Sequence, residues 1–176
     1  MTEIESHPFP FTEILQGIRL LVLDVDGVLT DGGMYYGPAG EVLKRFHAQD
    51  GQGIVDLLAC GLEIALVTGE VNDIVPARAA KLGIRRVFLG VRDKLKLVRE
   101  LAAELSVDLR EIAYVGDDRI DVPSMRAVGF SAAPKDGDAS ARTAAMYVAQ
   151  RDGGHGVVRE VCEMILLARG VSRDWV

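Results

Sequence analysis

Ile18-Arg19-Leu20-Leu21-Val22-Leu23-Asp24-Val25-Asp26-Gly27 decides the architecture of this chain. An aliphatic run ends in two aspartates one residue apart, followed by glycine. Such a run is expected of a strand buried on both faces, as in a parallel sheet. Open α/β folds bind their ligands where these strands end. Side chains alternate along a strand, so Asp24 and Asp26 point the same way if the strand continues. Two carboxylates about 4 Å apart repel by roughly 4 kcal/mol at an effective dielectric of 20. A cation or a proton is therefore expected between them. The calcium loop is a poor fit, because it needs glycine at its sixth position and glutamate at its twelfth. Here Gly27 stands fourth and Tyr35 twelfth. The stretch predicts a metal-assisted enzyme.

Composition narrows the field. The 176 residues suffice for one domain, and 49% are apolar, as in a globular chain. No apolar stretch approaches the ~18 residues of a membrane span. The acidic amino terminus lacks a signal-peptide pattern, so a cytoplasmic location with no membrane partner is expected. Twenty Lys and Arg against 26 Asp and Glu give a net charge of −6, with no basic run. Nucleic acid is a disfavoured partner. Cys60 and Cys162 stand far apart in apolar helical contexts and are expected to be reduced core thiols.

The pattern alternates between strands and helices. Residues 1–17 read as an arm and 19–24 as the first strand. Residues 32–46 enclose the turn Gly37-Pro38-Ala39-Gly40 and predict a β-hairpin. A helix follows from about Gly51 to Cys60, with Asp50 and Gln52 in the D-G-Q-G turn at its start, then a strand over 63–67. Asn72 or Asp73 caps a helix that Gly83 stops, and 87–89 form a strand. Asp93 caps a helix over 94–105, and 112–115 form another strand, followed by a short helix to Ala127. Two short strands, 130–132 and 146–148, precede a last amphipathic helix over 157–168. The prediction is one domain over 1–176, built on a doubly wound parallel α/β sheet.

Three strand ends carry the chemistry. Asp24 and Asp26 end the first, Thr68-Gly69 the second, and Gly116-Asp117-Asp118-Arg119-Ile120-Asp121 a later one. Lys94 opens the helix between the last two. This set suits phosphoryl transfer through an aspartyl phosphate. Asp24 is the expected nucleophile, and Asp26 the acid that protonates the leaving alkoxide and then activates water. Mg²⁺ is expected on Asp24, Asp117 and the backbone carbonyl of Asp26. The Thr68 hydroxyl, the Gly69 amide and the Lys94 ammonium would hold the equatorial phosphoryl oxygens. Asp118 and Asp121 would orient Lys94 or the metal's waters.

The motifs D-V-D-G-V-L-T-D-G, the Thr-Gly pair, the later lysine and G-D-D-x-x-D resemble the haloacid dehalogenase superfamily over residues 20–121. M-Y-Y-G-P-A-G-E-V-L-K-R-F with D-G-Q-G-I, Y-V-G-D-D-R-I-D-V-P-S-M-R-A-V-G and G-G-H-G-V-V-R-E-V-C-E-M-I-L more closely resemble the small 3-deoxy-octulosonate (KDO) 8-phosphate phosphatases, over about 18–169. That resemblance implies a HAD-like Rossmannoid fold and a magnesium-dependent phosphatase acting on a phosphorylated 2-keto-3-deoxy sugar acid. It also implies a homotetramer. The interval from Asp24 to Thr68 is filled by hairpin, helix and strand, and that from Thr68 to Lys94 by one helix and one strand, so no cap domain fits. A capless site would be wet, and a neighbouring subunit is a natural cover. The hairpin, with Met34, Tyr35, Tyr36 and Phe46, is expected to pair with symmetry mates.

Thr68-Gly69-Glu70 departs from the Thr-Gly-Arg typical of the octulosonate enzymes. Phosphatases for nine-carbon sugar acids, of the KDN or sialic acid type, resemble this chain in having glutamate there, so a 9-phosphate is the alternative substrate. Glu70 equally suits the amino end of the following helix. Gln52, Glu70, His155 and Arg159 are the candidate substrate contacts, and His47 reads as hairpin surface. The tail 170–176, with Trp175, could reach a neighbour's site. A non-catalytic regulatory or scaffold subunit is the competing class of function, and a binding module has no need of Asp26.

Overall fold

A computed structural model describes residues 10–171. The amino-terminal part of the expected arm and the end of the tail, Trp175 included, lie outside the described residues. Helix α1 is Thr12–Gln16, strand β1 Leu20–Asp24, and the hairpin pairs β2 (Tyr35–Gly37) with β3 (Gly40–Leu43). Then follow α2 (Ala48–Ala59), β4 (Glu63–Val67), α3 (Ile74–Leu82), β5 (Arg86–Phe88) and α4 (Lys94–Leu105). The chain ends with β6 (Ile112–Val115), α5 (Val122–Ala127), β7 (Phe130–Ala133), α6 (Ala139–Ala144), β8 (Tyr147–Val148) and α7 (Val157–Ala168).

Six strands form one parallel sheet in the order β5-β4-β1-β6-β7-β8. The aliphatic run of β1 is buried at every position because helices cover both faces. Alternation sorts its side chains: Leu21 and Leu23 join Ile54, Leu57, Val161 and Ile165 on the α2/α7 side. Leu20 and Val22 join Val98, Leu101 and Tyr114 on the α4 side. From β1 the chain moves outward to β4 and β5, then crosses back to β6 on the other flank. The strand order reverses beside β1, the place where such sheets leave a crevice. No cap domain interrupts the described residues.

Several local expectations are corrected. Residues 12–16 of the arm are helical, and Leu15 and Ile18 are fully buried. Helix α6 went unread; Asp138 starts it by accepting a hydrogen bond from the Ser140 amide at 2.8 Å. The D-G-Q-G stretch is not a turn but the first half of α2. Its glycines serve close packing: a Cβ on Gly53 would stand 3.0 Å from that of Cys162 on α7. Asp50, fully buried, accepts the Arg159 amide at 2.7 Å and ties α2 to α7. His47 is not hairpin surface; it precedes α2, and its carbonyl accepts the Gly51 amide at 3.3 Å. Cys162 is a buried thiol pushed far above its usual range by burial, whereas Cys60 is exposed at the end of α2. No helix among the described residues is long and apolar enough to cross a membrane.

Helix contact therefore depends on the small side of α2. A Gly53→Val variant is expected to lose about 1–3 kcal/mol of unfolding free energy despite its better helix propensity. Gln52→Ala, at an exposed position of the same helix, is expected to stay within about 0.5 kcal/mol in the same urea titrations.

Candidate active site

The carboxyl edge of the sheet gathers the predicted residues. Asp24 closes β1 and is nearly buried. Asp93 caps α4 by accepting the Lys96 amide at 2.9 Å, which sets Lys94 on the first turn and sends its side chain inward. Lys94 Nζ lies 2.8 Å from Asp24 Oδ1 and 2.7 Å from Asp121 Oδ1. Asp121, wholly buried, also accepts the Tyr114 hydroxyl at 2.7 Å on Oδ1. Its Oδ2 accepts the amides of Asp117 and Asp118, both at 3.2 Å. One carboxylate thus shapes the whole loop after β6 and aims the lysine at Asp24.

Gly27 permits the close approach that completes this edge. Its φ is 88°, and a Cβ there would collide with the Asp117 carboxylate. Any side chain would push the β1 turn away from the β6 loop. Asp26, on the same turn, accepts the Thr68 hydroxyl at 3.2 Å on Oδ2. Thr68 Oγ1 in turn accepts the Glu70 amide at 3.0 Å. The other Asp26 oxygen is held by Lys44 from the hairpin, at 2.5 Å. Sequence reasoning missed Lys44. The available signal was a Lys-Arg pair set between apolar residues in the hairpin segment Val42-Leu43-Lys44-Arg45-Phe46.

The electrostatics show a deficit of positive charge. Burial, then repulsion from Asp121, raise the Asp24 carboxyl well above its ordinary range, against the pull of Lys94. Burial pushes Asp117 up to about 6, aided by Asp121 and opposed by its hydrogen bond with Asp24. Burial works against the Lys94 charge, but Asp24 and Asp121 outweigh it and the ammonium titrates above its usual value. Asp24, Asp117 and Asp121 offer carboxylate oxygens within 4.8 Å of one another. The two oxygens of Asp121 already receive four donors, so Asp24 and Asp117 are the pair open to a metal. The Asp26 carbonyl lies on the same turn. An all-oxygen, anionic donor set suits a hard divalent ion such as Mg²⁺.

A cleft of about 170 Å³ opens on this edge, lined by Asp24, Asp26, Thr68, Gly69, Lys94 and Asp117. Glu70 and Asp118 stand at it too. Asp121 lies beneath, reached through Lys94 and the Asp117 and Asp118 amides. The cleft is smaller than the ~300–1,000 Å³ usual for whole small-molecule ligands. It has room for a phosphoryl group, and the remainder of an ester would extend past its rim.

Three candidate substrate contacts are not brought there within one chain. Gln52, His155 and Arg159 line a separate cavity of about 540 Å³ between α2 and the start of α7. Gln52 donates to Asp56 Oδ1 at 2.7 Å, because α2 runs through its position and turns it away. Arg159 is engaged by Glu163 at 2.7 Å and Asp56 at 3.2 Å. His155 Nδ1 is 2.8 Å from the Gly153 carbonyl, and its Nε2 is 3.1 Å from Arg45 of the hairpin strand's continuation.

A capless α/β sheet with an acidic, oxygen-rich cleft and the buried Lys94 at its carboxyl edge defines the class of a phosphoric monoester hydrolase. Residues 86–161 match the family model of haloacid dehalogenase-like hydrolases. The 3-deoxy-D-manno-octulosonate 8-phosphate phosphatase of Escherichia coli is 45% identical over 155 residues, 88% of this chain and 82% of that protein. The crystal structure of the Yersinia pestis phosphatase of that name superimposes with a TM-score of 0.88 at 42% identity, covering 91% of this chain and 86% of the other. The Moraxella catarrhalis phosphatase, solved with magnesium, phosphate and KDO, gives a TM-score of 0.88 at 37% identity, with 92% of both chains covered. This chain belongs to the 3-deoxy-D-manno-octulosonate 8-phosphate phosphatase family of haloacid dehalogenase-like hydrolases.

The charge deficit has a measurable sign. A carboxyl group whose folded pKa is raised binds a proton more readily in the folded state, so stability is gained as pH falls through the folded pKa and lost as it rises. Asp24 and Asp117 are raised in this way, and Asp50 adds in the same direction. Metal-free protein is therefore expected to melt at a higher temperature near pH ~5 than near pH ~7.5. Magnesium at 100-fold over its dissociation constant is expected to add about 2.7 kcal/mol at the higher pH and flatten the slope. Calorimetry with chelator and with magnesium reads both.

Proposed function

We propose that this chain hydrolyses KDO 8-phosphate to KDO and phosphate through an aspartyl phosphate on Asp24. The observation that carries the reading is the convergence of Asp24, Asp26, Thr68, Lys94 and Asp117 on one cleft, in a chain 45% identical to phosphatases of that name. Asp24 attacks phosphorus, and the ester oxygen departs with a proton from Asp26. Asp26, then ionised, takes a proton from the water that attacks the phosphoenzyme. Thr68, the Gly69 amide and Lys94 hold the phosphoryl oxygens as charge spreads over them. Asp24, Asp117 and the Asp26 carbonyl would hold magnesium, whose positive charge would keep the carboxylates ionised and screen the nucleophile from the phosphate. Asp121 and Asp118 keep Lys94 and the β6 loop in place.

The working assembly is a homotetramer in the cytoplasm. Met34, Tyr35, Tyr36, Val42 and Leu43 are 46–64% exposed on a two-stranded hairpin. An isolated hairpin is marginal in water, and this much clustered apolar surface favours burial against another copy. A partner's surface there would also cover a substrate that outgrows the cleft.

One observation favours a second substrate. Glu70 stands at the cleft, where its carboxylate would accept the additional hydroxyl groups of a longer sugar. A nine-carbon sugar-acid 9-phosphate of the KDN or sialic acid type is the alternative it supports. A scaffold role gains nothing from the presence of Asp26.

Purified protein is expected to release phosphate from KDO 8-phosphate with magnesium and to lose at least ~10³-fold in rate with chelator or as Asp24→Asn. Higher kcat/KM on the nine-carbon ester would transfer the assignment to that substrate, and no release from either ester would favour the scaffold. Light scattering is expected to give a tetramer mass, and Tyr36→Asp with Leu43→Asp a smaller species.

A further inference from the structure

Lys44 is a buried cation that reaches the site from the hairpin insertion. Its side chain is fully buried, yet it sits on a hairpin whose Met34, Tyr35, Tyr36, Val42 and Leu43 are exposed. Its Nζ lies 2.5 Å from Asp26 Oδ1 and 2.6 Å from Glu41 Oε1. Glu41 Oε2 accepts the Asn72 amide at 3.1 Å, and Asn72 Oδ1 caps α3 by accepting the Ile74 and Val75 amides, both at 3.1 Å. Four side chains thus run from Asp26 through the hairpin to the segment just after Thr68-Gly69-Glu70. Burying an ammonium is costly unless carboxylates surround it, as Asp26 and Glu41 do here. What a lysine adds is a directed hold on one oxygen of Asp26.

We propose that Lys44 is a positioning residue for proton transfer: by holding Asp26 Oδ1 it fixes the carboxyl plane and leaves Oδ2, beside Thr68, facing the leaving oxygen. Lys44 does not line the cleft and acts only through Asp26. The hairpin thereby supplies part of the acid–base machinery in the same chain, independently of any cover a second copy provides. The inference rests on reading Asp26 as the acid.

Two esters separate this role from a structural one. Departure of a sugar alkoxide needs a proton delivered to oxygen as the phosphorus–oxygen bond breaks, whereas p-nitrophenolate leaves without one. The parameter to compare is kcat/KM, which reports the steps through phosphorylation of Asp24 and excludes the later hydrolysis common to both esters. Lys44→Met is expected to lower kcat/KM about 100-fold on KDO 8-phosphate and less than about fivefold on p-nitrophenyl phosphate. Lys44→Arg is expected to recover most of the loss. The ratio between the two esters on one preparation is independent of the fraction of protein that folds. Equal losses on both esters would overturn the proposal. Asp26→Asn is the control: if it shows the leaving-group bias and Lys44→Met does not, Lys44 alone is misassigned. If Asp26→Asn falls equally on both esters, the reading of Asp26 as acid fails with it.

Discussion

The structure turns on one buried ammonium. Lys94 is shared by Asp24 and Asp121 at hydrogen-bond distance, with Asp117 close by. A lysine in this position neutralises one of three carboxylates, and the remaining charge is tolerable only with protons or a divalent ion. The sheet makes that arrangement possible. Apolar strands packed on both faces give β1, β4 and β6 a common end, and their last residues face one crevice. The carboxylates are held by backbone and packing rather than by attraction to one another, so the site retains its shape while its charge remains unsatisfied. A phosphate dianion can approach such a cluster only with a cation bound, which makes metal and substrate interdependent.

The absence of a cap domain shifts work onto a short insertion. The hairpin has two chemically different sides. Glu41 and Lys44 turn inward to Asp26 and Asn72. Tyr35, Tyr36, Val42 and Leu43 stand out in solvent. The inner side joins the β1 turn to the loop after β4, so two strand ends that share no backbone hydrogen bonds beyond the sheet are also linked through side chains. The outer side is what a second copy would cover. On the proposed reading, one small element would connect assembly to proton transfer.

Much of this was legible in the chain, for identifiable reasons. Buried parallel strands are continuous apolar runs, and their ends are marked by abrupt changes to Asp, Thr-Gly or Gly-Asp-Asp, so β1, β4 and β6 and the residues they carry could be read directly. Asp93 and Gly83 mark helix ends by local chemistry alone. What escaped depended on tertiary contact. Gly51 and Gly53 signal a turn by composition, but the segment is helical, with α3 packed close against Gly51 and α7 against Gly53. Gln52, His155 and Arg159 are candidate substrate contacts by sequence, but they line another cavity. Lys44 has no local signature, because its role comes from Asp26, eighteen positions away in sequence.

The claim beneath all of this is a covalent bond between Asp24 and phosphorus. Enzyme quenched in acid during turnover with magnesium, then reduced with borohydride and digested, tests it directly by mass spectrometry. An aspartyl phosphate at position 24 is converted to homoserine, and the account predicts that change in the peptide carrying Leu20 to Gly27. Sustained turnover with Asp24 unaltered at every quench time, or the modification on another carboxylate, would contradict it.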